Sequence, residues 1–424
     1  MPRRGFSATK AVLGMICAMY AITYIDRVNV STAASVFQNE FHFNAVQIGL
    51  VFSAFAYPYL VFQIIGGWVS DRLGARMTLT VSAIIWALAT LLTGLATGLA
   101  SMLCARVLLG FGEGATFPAA TRALSDWTVK GKRGFSQGIT HSAARLGNAF
   151  TPPLVVWLMA LVTWRGSFIA LGLVSMAWTI VWVWYFRNDP GDHAHITSAE
   201  LEVLPSYALR KVNQHQRIPW LPLARRMAPV TVVYFCYGWT LWLYLAWIPS
   251  FFVHNYHLNL QRSALFSAGV FFAGVLGDSL GGIVSDRIFR KTGDFNKARR
   301  NLVVVCFLCS LVCMIPILYS HNLKWASIYL SLGFFFSEFT VGPMWAIPMD
   351  IAPRFSGSAS GLMNSGSALA AILSPIVFGF VIDKTNNWEL PFLGSIVLLF
   401  LGSIAAFWMK PGEVLVPATE LQQV

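Results

Sequence analysis

Twelve long apolar stretches run through this sequence, and they decide what the chain can fold into. Each could cross a lipid bilayer as a helix, which requires roughly 20 apolar residues. They cover approximately residues 12–34, 47–70, 77–98, 101–124, 135–160, 167–187, 228–252, 263–285, 301–320, 326–349, 358–382 and 388–409. The chain has only 11% charged residues, whereas soluble domains contain about 25%. We predict an all-α membrane protein with twelve transmembrane helices.

The distribution of lysine and arginine predicts how these helices are oriented. With both termini placed in the cytoplasm, about 23 of the 30 Lys and Arg residues fall in cytoplasmic segments. The outside loops then contain Arg165, Arg262, Lys324 and Lys384. Cytoplasmic loops of membrane proteins usually carry such an excess of basic residues. We therefore attribute the net charge of +12 to contact with the lipid bilayer and expect no nucleic-acid partner.

A polar stretch from about Asn188 to Arg226 separates six apolar stretches from the other six. We predict a short surface helix near Ser198–Lys211 within it. Its basic residues are expected to meet anionic lipid; they are Arg210, Lys211, Arg217, Arg225 and Arg226. The prediction is an N-terminal six-helix half at 1–189, a cytoplasmic linker at 190–226 and a C-terminal six-helix half at 227–424.

The two halves repeat each other at three places with nearly constant spacing. The matched sets are Gly66–Arg72 with Gly281–Arg287 (offset 215), Glu113 and Pro118 with Glu338 and Pro343 (offset 225), and Gly138, Ser142 and Pro152 with Gly361, Ser365 and Pro375 (offset 223). Parallel six-helix repeats that hold a substrate near the bilayer midplane are one known transporter design. The spacing therefore predicts two pseudo-symmetric halves and a transport function.

Charged residues inside the apolar stretches are the candidates for the chemistry. A single Asp or Arg at mid-bilayer costs roughly 2.5–3.5 kcal/mol, and such charges usually mark a substrate or ion pathway. Asp26 and Arg27 are adjacent, so on a helix they point in different directions and each needs a partner elsewhere. Arg106 and Glu113 share one face of the fourth stretch, about 10.5 Å apart along the axis. We predict that Asp26, Glu113 and Arg106 form a proton-coupling site.

Each of three further polar residues can be interpreted in two ways. Arg145 is either a second anion-binding group or the neutralising partner of an acid. His141 is either a proton relay or a hydrogen-bonded packing residue. Asp278 is either a proton site or a residue that faces an interfacial water pocket.

Glu338, Tyr59 and Trp345 complete the candidates that the residues themselves suggest. Glu338 is the counterpart of Glu113 in the repeat. Tyr59 and Trp345 are the aromatic residues that we place at the substrate site. Trp and Tyr are enriched at membrane interfaces, so many of the 16 Trp residues are expected to be belt or packing residues.

The motif Gly67-x-x-x-Asp71-Arg72-x-Gly74-x-Arg76 resembles the loop motif between helices 2 and 3 of the major facilitator superfamily. A degraded copy runs from Gly282 to Arg287. The resemblance implies that the first copy is a gating loop.

A narrower resemblance points to the anion:cation symporter family. It is carried by Tyr24–Asn29, Phe52–Phe55, Arg106–Pro118 and Asn364–Gly366. That family includes bacterial galactonate, hexuronate, glucarate, tartrate and phthalate permeases and animal sialin. The resemblance implies proton-coupled uptake of a small organic anion across the bacterial inner membrane, with the proton gradient as driving force and no cofactor.

The same resemblance implies roles for individual residues. Arg27 would bind the substrate carboxylate, Asp26 and Glu113 would titrate, and Arg106 would be coupled to Glu113. The residues that line the substrate would be Tyr59, Trp345 and Asn364, with Arg145 as an additional cation.

One departure from the family pattern bears on the substrate. Galactonate-type permeases have a sugar-binding Gln where this chain has Ala144, followed by Arg145. Gly342 and Met344 stand where that type has small polar groups. We therefore expect a compact dianion, either a dicarboxylate or a sulfonated carboxylate such as sulfoacetate. A hexuronate- or galactonate-type proton symporter is the second interpretation, and an anion exchanger or exporter is the third.

An enzyme is not expected, because the apolar stretches contain no paired His/Glu motif and no nucleophilic Ser elbow. We therefore expect no catalytic residues and no metal site. The expected partners are the organic anion, protons and the bilayer, and we expect a monomer.

Overall fold

The computed structural model describes residues 7–43, 45–204, 218–320 and 322–415, and these residues are almost entirely helical. The α-helices are α1 (Ala8–Phe41), α2 (Ala45–Ser53), α3 (Ala56–Gly94), α4 (Leu99–Gly114), α5 (Thr116–Trp127), α6 (Arg133–Tyr185), α7 (Ser198–Val203), α8 (Trp220–Tyr256), α9 (Leu260–Thr292), α10 (Leu302–Met314), α11 (Leu323–Glu338), α12 (Val341–Ile351), α13 (Ser356–Thr385) and α14 (Pro391–Ala405). Helices suit lipid because they satisfy every backbone polar group internally.

Within the described residues, nine helical stretches are long and apolar enough to cross a membrane. Two of them, Gln47–Gly94 and Lys130–Tyr185, each contain two of the predicted spans. The fourth predicted span is divided between α4 and α5, which are separated at Ala115. The prediction of an all-α membrane protein with twelve spans is confirmed.

Two sharp changes of backbone direction separate the spans that share one long helix. Gly74 has φ +82° inside α3, a conformation that only glycine adopts without strain. A Cβ atom there would also lie 2.3 Å from the side chain of Asn188. Inside α6 the change occurs at Val162 and Thr163, where Thr163 has φ +68°. The two spans within α3, and the two within α6, are therefore connected without a long loop.

The chain forms two compact units. The first comprises Met1–Lys130, Ala143–Gln216 and Phe355–Gly361, and the second comprises Gly131–Ser142, Arg217–Arg354 and Leu362–Val424. Each unit thus includes a short segment from the other half of the sequence. The domain boundaries near residues 190 and 226 stay a prediction.

The predicted surface helix of the linker is present at its start. It covers Ser198–Val203 and is capped by Thr197, whose hydroxyl accepts a hydrogen bond from the amide of Glu200. Residues Arg210, Lys211 and Arg217 lie outside the described residues. Helix α8 begins at Trp220, so Arg225 and Arg226 belong to a helix and not to a loop.

Candidate functional site

Arg27 and Glu113 form a buried ion pair in the first unit. The Nε atom of Arg27, on α1, donates to Oε2 of Glu113, which lies one residue before the end of α4. The two side chains are 9% and 0% exposed. Arg27 therefore has the partner that its position in the membrane requires, on α4, the helix that also carries Arg106.

Aromatic rings surround the guanidinium group of Arg27. Its Cζ atom lies 4.9 Å from the ring centroid of Tyr24, 5.2 Å from that of Phe55, 4.6 Å from that of Tyr59 and 5.0 Å from that of Phe117. Ring faces attract a cation at these distances, more strongly when water is excluded. Tyr59 thus lies beside Arg27, and its place in a substrate site stays a prediction.

Asp26 is turned away from Arg27 towards α6. Its Oδ2 atom accepts a hydrogen bond of 2.9 Å from the hydroxyl of Ser175, and the aspartate is 1% exposed. This geometry follows from the angle between adjacent residues on a helix. The two carboxyl groups of the predicted proton site therefore have different partners, a hydroxyl for Asp26 and a guanidinium for Glu113.

Arg106 lies on α4 two turns before Glu113 and is also buried. Its Nε atom donates to the carbonyl of Val51 at 3.3 Å, and its Cζ atom lies 5.3 Å from the ring centroid of Phe55. In the part of the chain that is described, no ion pair joins Arg106 to Glu113, in agreement with their separation along the helix. Coupling of Arg106 to Glu113 stays a prediction.

Arg145 reaches the same aromatic group from α6. Its Nη1 atom donates to the hydroxyl of Tyr24 at 3.3 Å, and its Cζ atom lies 5.7 Å from the centroid of that ring. Tyr24 therefore contacts two arginines, Arg27 and Arg145. The structure brings the second intramembrane cation close to the first, which the sequence left open.

In the second unit, Trp345 is held by a tyrosine and a histidine. Its indole Nε1 donates to the hydroxyl of Tyr234 at 2.6 Å, and its ring centroid lies 4.9 Å from that of His141. The Nδ1 atom of His141 lies 2.8 Å from the carbonyl oxygen of Gln137. Because a carbonyl only accepts, Nδ1 carries the proton. Asn364 is buried in the same unit.

Glu338 and Asp278 are both fully buried in the second unit. Glu338 ends α11, and the hydroxyl of Tyr237 lies 3.1 and 3.0 Å from its two carboxyl oxygens. Asp278 lies within α9. It does not face open solvent, and its role as a proton site stays a prediction.

The first copy of the loop motif fastens the start of α13. Asp71 accepts hydrogen bonds from the amides of Gly357 (3.0 Å) and Ser358 (2.7 Å). Gly67 lies so close that a Cβ atom would approach the Gly357 carbonyl to 2.3 Å. An acid at a helix N-terminus satisfies free amides and the helix dipole.

The remaining motif residues fix the region around the backbone break. Gly74 supplies the positive φ. The amide of Arg76 donates to Oδ1 of Asn188 at 2.8 Å, and its guanidinium donates to the Val183 carbonyl at 2.6 Å. The guanidinium of Arg72 lies over the ring of Trp68 at 5.0 Å. A gating role for this loop stays a prediction.

The second copy of the motif repeats the cap within the second unit. Asp286 accepts hydrogen bonds from the amides of Gly134 (3.0 Å) and Phe135 (2.7 Å), at the start of α6. A Cβ atom on Gly282 would lie 2.3 Å from the carbonyl of Gly134. The motif therefore joins a glycine and an acid to a helix start in both copies.

A buried charge network extends this second cap. Arg299 contacts Asp286 at 3.1 Å and Asp350 at 3.1 Å, and Arg133 contacts Asp350 at 2.9 Å. The Arg133 and Arg299 side chains are 1% and 0% exposed. Both arginines lie outside the predicted apolar stretches, and their burial was not predicted. Asp350 lies one residue beyond an apolar stretch, and this position was the sequence feature that could have indicated a buried charge.

Ser175, the partner of Asp26, was not predicted from the sequence either. A lone serine costs little within an apolar stretch and therefore gives no signal.

Among the described residues, no group of three or more His, Cys, Asp or Glu side chains could hold a metal ion.

Residues 16–375 match the model of the Major Facilitator Superfamily. The chain belongs to that superfamily. It is therefore a multi-pass bacterial membrane transporter and not an enzyme.

Named relatives align over nearly the whole transporter. It is 44% identical to the probable sulfoacetate transporter of Cupriavidus necator over 402 residues, which cover 94% of this chain and 93% of that protein. It is 28% identical to the hexuronate transporter of Bacillus subtilis, covering 91% and 90% of the two chains. It is 29% identical to a D-galactonate transporter of Escherichia coli, covering 87% and 88%.

Solved structures share the fold of the transporter. The fucose:proton symporter of E. coli has a TM-score of 0.72 at 13% identity, over 95% of this chain and 99% of that chain. The human organic anion transporter MFSD10 has a TM-score of 0.71 at 16% identity, over 94% and 98%. At these identities the likeness establishes the fold alone.

Proposed function

We propose that the transporter takes up a small organic anion together with protons, and that it favours compact dianions. The observation that carries this proposal is the state of Arg27. Its Nε atom is bound to Glu113, whereas Nη2 is buried without a hydrogen-bond partner among the described residues. A buried guanidinium N–H is an expensive group to leave unpaired, and a carboxylate or sulfonate matches its geometry.

Competition for Arg27 couples the proton to the substrate. While Glu113 is ionised, it neutralises Arg27 and occupies one edge of the guanidinium. A proton on Glu113 removes that charge and frees Nε, so that an anion can bind the fork with two hydrogen bonds. Proton loss restores the ion pair and expels the anion. Alternating exposure of the site to the two sides of the membrane turns this competition into coupled uptake.

Asp26 provides a second carboxyl that can carry a proton. It is buried and accepts a hydrogen bond from a neutral hydroxyl, that of Ser175, so ionisation there lacks the compensation that Arg27 gives Glu113. We infer that a proton on Asp26 is also required for gradient-driven uptake, while Arg27 binds the anion.

Three features support a dianion as the substrate. Arg145 places a second cation beside the ring that Arg27 also contacts. Ala144 gives no hydrogen bond to a sugar hydroxyl. A relative at 44% identity is named a probable sulfoacetate transporter.

A sugar-acid proton symporter is the second candidate function. It is favoured by the hexuronate and D-galactonate transporters, which are 28% and 29% identical to this chain. Exchange or export of the anion would use the same arginines, since a site exposed alternately to the two sides of the membrane can carry its substrate in either direction.

The test is uptake of sulfoacetate by the purified transporter in liposomes with an imposed pH gradient, together with equilibrium binding. Arg27→Ala should abolish binding, because the anion loses its charge-assisted donors. Arg27→Lys is the matched control; it keeps the charge but not the fork, and should bind weakly. Asp26→Asn should spare binding and abolish accumulation driven by the gradient.

Normal binding by Arg27→Ala would place the anion elsewhere, with Arg145 next to be tested. Unchanged accumulation by both Asp26→Asn and Glu113→Gln would remove proton coupling. Saturable galactonate uptake that short dianions fail to inhibit would favour the sugar-acid symporter. The excess of basic residues in the predicted inner loops supports cytoplasmic termini.

A further inference from the structure

We propose that a small cavity beside the second copy of the loop motif binds the phosphate group of an anionic phospholipid. The cavity has a volume of about 210 Å³. A single water molecule requires only roughly 10–15 Å³, so a group of several atoms can enter. The residues that line it come from the start of α6 and the end of α9, and all belong to the second unit: Gly131, Lys132, Phe135, Ile283, Asp286 and Arg290. None of them belongs to the proposed substrate site, so the inference does not depend on which anion is transported.

The cavity crosses the predicted edge of the membrane. Phe135 and Ile283 lie near the ends of two predicted spans, 135–160 and 263–285, whereas Lys132 and Arg290 lie beyond those spans. Ile283 is 41% exposed, and an exposed isoleucine within a span is suited to contact an acyl chain. One part of the wall is therefore apolar and the other cationic, which matches the chains and the phosphate of a phospholipid. A soluble anion would use the cations alone.

Two exposed basic side chains supply the positive charge of the cavity. They are Lys132 and Arg290. A Cβ atom on Gly131 would lie 3.4 Å from Cγ of Arg290, so the stem of this arginine packs against the glycine. Long basic side chains near the ends of membrane helices extend towards the polar interface. The phosphate of a lipid lies at that level of the bilayer.

The carboxylate of Asp286 also lines the cavity, but it is already engaged. It accepts hydrogen bonds from the amides of Gly134 and Phe135, at 3.0 and 2.7 Å. Its Oδ1 atom also pairs with Arg299 at 3.1 Å. Because Arg299 compensates its charge, this carboxylate repels an incoming anion less than a free one would.

The balance of charge around the cavity favours an anion. The cavity and the buried network beside it contain four cations and two acids: Lys132, Arg133, Arg290, Arg299, Asp286 and Asp350. Among the described residues, Nε and Nη2 of Arg133 and Nη2 of Arg299 are buried without a hydrogen-bond partner. The network therefore has more donors than its two acids satisfy. An anionic head group offsets part of this excess, and anionic lipids attract basic residues on the predicted cytoplasmic side.

Arg290 and Lys291 offer a matched pair of variants. Both are exposed and lie in the last turn of α9, and of the two it is Arg290 that lines the cavity. Arg290→Gln and Lys291→Gln each remove one charge from the same helix end. Both lose a favourable interaction with the helix dipole, so a difference between them reports on the cavity. Lys132→Gln removes the second cation of the cavity.

The experiment is native mass spectrometry of the purified transporter in detergent, titrated with phosphatidylglycerol or with zwitterionic phosphatidylcholine. Wild type should bind the first phosphatidylglycerol at least about fivefold more tightly than phosphatidylcholine, the factor expected for one Lys or Arg near a membrane surface. Arg290→Gln and Lys132→Gln should each weaken phosphatidylglycerol binding about fivefold. Lys291→Gln should change it less than twofold. Inorganic phosphate and glycerol phosphate, at the concentration of the lipid, should not displace it.

Each other outcome contradicts a stated part of the proposal. Equal weakening by Arg290→Gln and Lys291→Gln, or equal binding of the two lipids by the wild type, would show that the cavity is not a specific site. Displacement of phosphatidylglycerol by inorganic phosphate would overturn the assignment to a lipid. If Arg290→Gln does not fold, Lys132→Gln decides alone, with the exposed Lys130→Gln as its control.

Discussion

Glu113 and Glu338 occupy equivalent places in the two units but have different partners. Each is fully buried, and each lies at the end of a helix that is interrupted before a second short helix continues, at Ala115 in one unit and at Phe339–Thr340 in the other. Glu113 is bound to the cation Arg27. Glu338 is bound by the neutral hydroxyl of Tyr237.

The loop motif shows the opposite behaviour, because its two copies make the same contacts with the backbone of a helix start. Asp71 and Asp286 each accept hydrogen bonds from two consecutive amides at a helix start. Gly67 and Gly282 would each bring a Cβ atom to 2.3 Å from a carbonyl of the capped helix. The repeat has therefore kept the backbone contacts that build each unit, while Arg27 beside Glu113 and Tyr237 beside Glu338 are different kinds of residue.

The first and largest expected effect tests whether the two glutamates differ in function. Glu113→Gln should lower pH-gradient-driven accumulation of sulfoacetate by roughly 100-fold, within the usual range of coupling between two ligands, because the competitor for Arg27 no longer titrates. Glu338→Gln should lower it less than about tenfold, since an amide oxygen still accepts from Tyr237. Both are measured in liposomes with an imposed pH gradient.

A counterflow assay controls for damage to the fold. Without a gradient, Glu113→Gln should still exchange labelled for unlabelled sulfoacetate, because Arg27 stays available. Equal losses of accumulation in the two variants would remove the functional difference between the units.

The second prediction compares the stability that the two caps provide. Asp286→Asn should cost about 3 kcal/mol, because it breaks a buried pair with Arg299 as well as the cap. Asp71→Asn should cost about 1–2 kcal/mol, which is typical of a lost cap; its nearby cation, Arg122, is 3.8 Å away and 20% exposed. The apparent melting temperature of the purified protein in detergent should fall more for Asp286→Asn. A larger fall for Asp71→Asn would show that the buried network contributes little.

The third and smallest effect concerns the start of α1. Burial opposes ionisation of Glu200, but hydrogen bonds from Ser7, Thr197 and Thr9 outweigh it and lower its pKa from 4.5 to about 2. A lowered pKa means that the carboxylate stabilises the fold above about pH 4.5 and that this contribution is lost as the pH falls towards 2. By comparison, Arg226 of α8, in the second unit, pairs with Glu413 at 2.8 Å, and this acid is exposed to solvent.

Hydrogen exchange of the peptide that contains Thr9 measures this anchor. Wild type should be protected at pH 6 and lose protection as the pH is lowered from 4.5 towards 2, after correction for intrinsic exchange. Glu200→Gln should show weaker protection and little dependence on pH. Glu202→Gln, an exposed neighbour on the same helix, is the control. Identical protection in Glu200→Gln and wild type would exclude an anchoring role.

The apolar stretches predicted the membrane spans but not where the helices end. Helix α1 covers Ala8–Phe41, whereas its apolar stretch covers residues 12–34. The length of an apolar stretch reflects the thickness of the bilayer's hydrocarbon core, and a helix can continue into the polar region on either side. The interruption at Ala115 falls within an apolar stretch and leaves no change in composition to detect.

Residues of the site could be predicted from the sequence where they carry a charge inside an apolar stretch, because such a charge is costly. Arg27 and Glu113 stood out for that reason, and the structure pairs them. The hydrogen bond from Ser175 to Asp26 could not be predicted, since hydroxyl side chains are common in membrane-spanning helices. Arg299 lay outside the apolar stretches, where cations are ordinary, so only the fold shows that it is buried with Asp350.

The distance in sequence between Asp71 and the helix that it caps has a consequence for biosynthesis. Its partners, Gly357 and Ser358, follow 286 and 287 residues later. At a synthesis rate of about 5–20 residues per second, they emerge roughly 15–60 s after Asp71. The first unit therefore enters the membrane without one of its segments. Its early helices must be kept from misassembly by the insertion machinery until the eleventh span arrives.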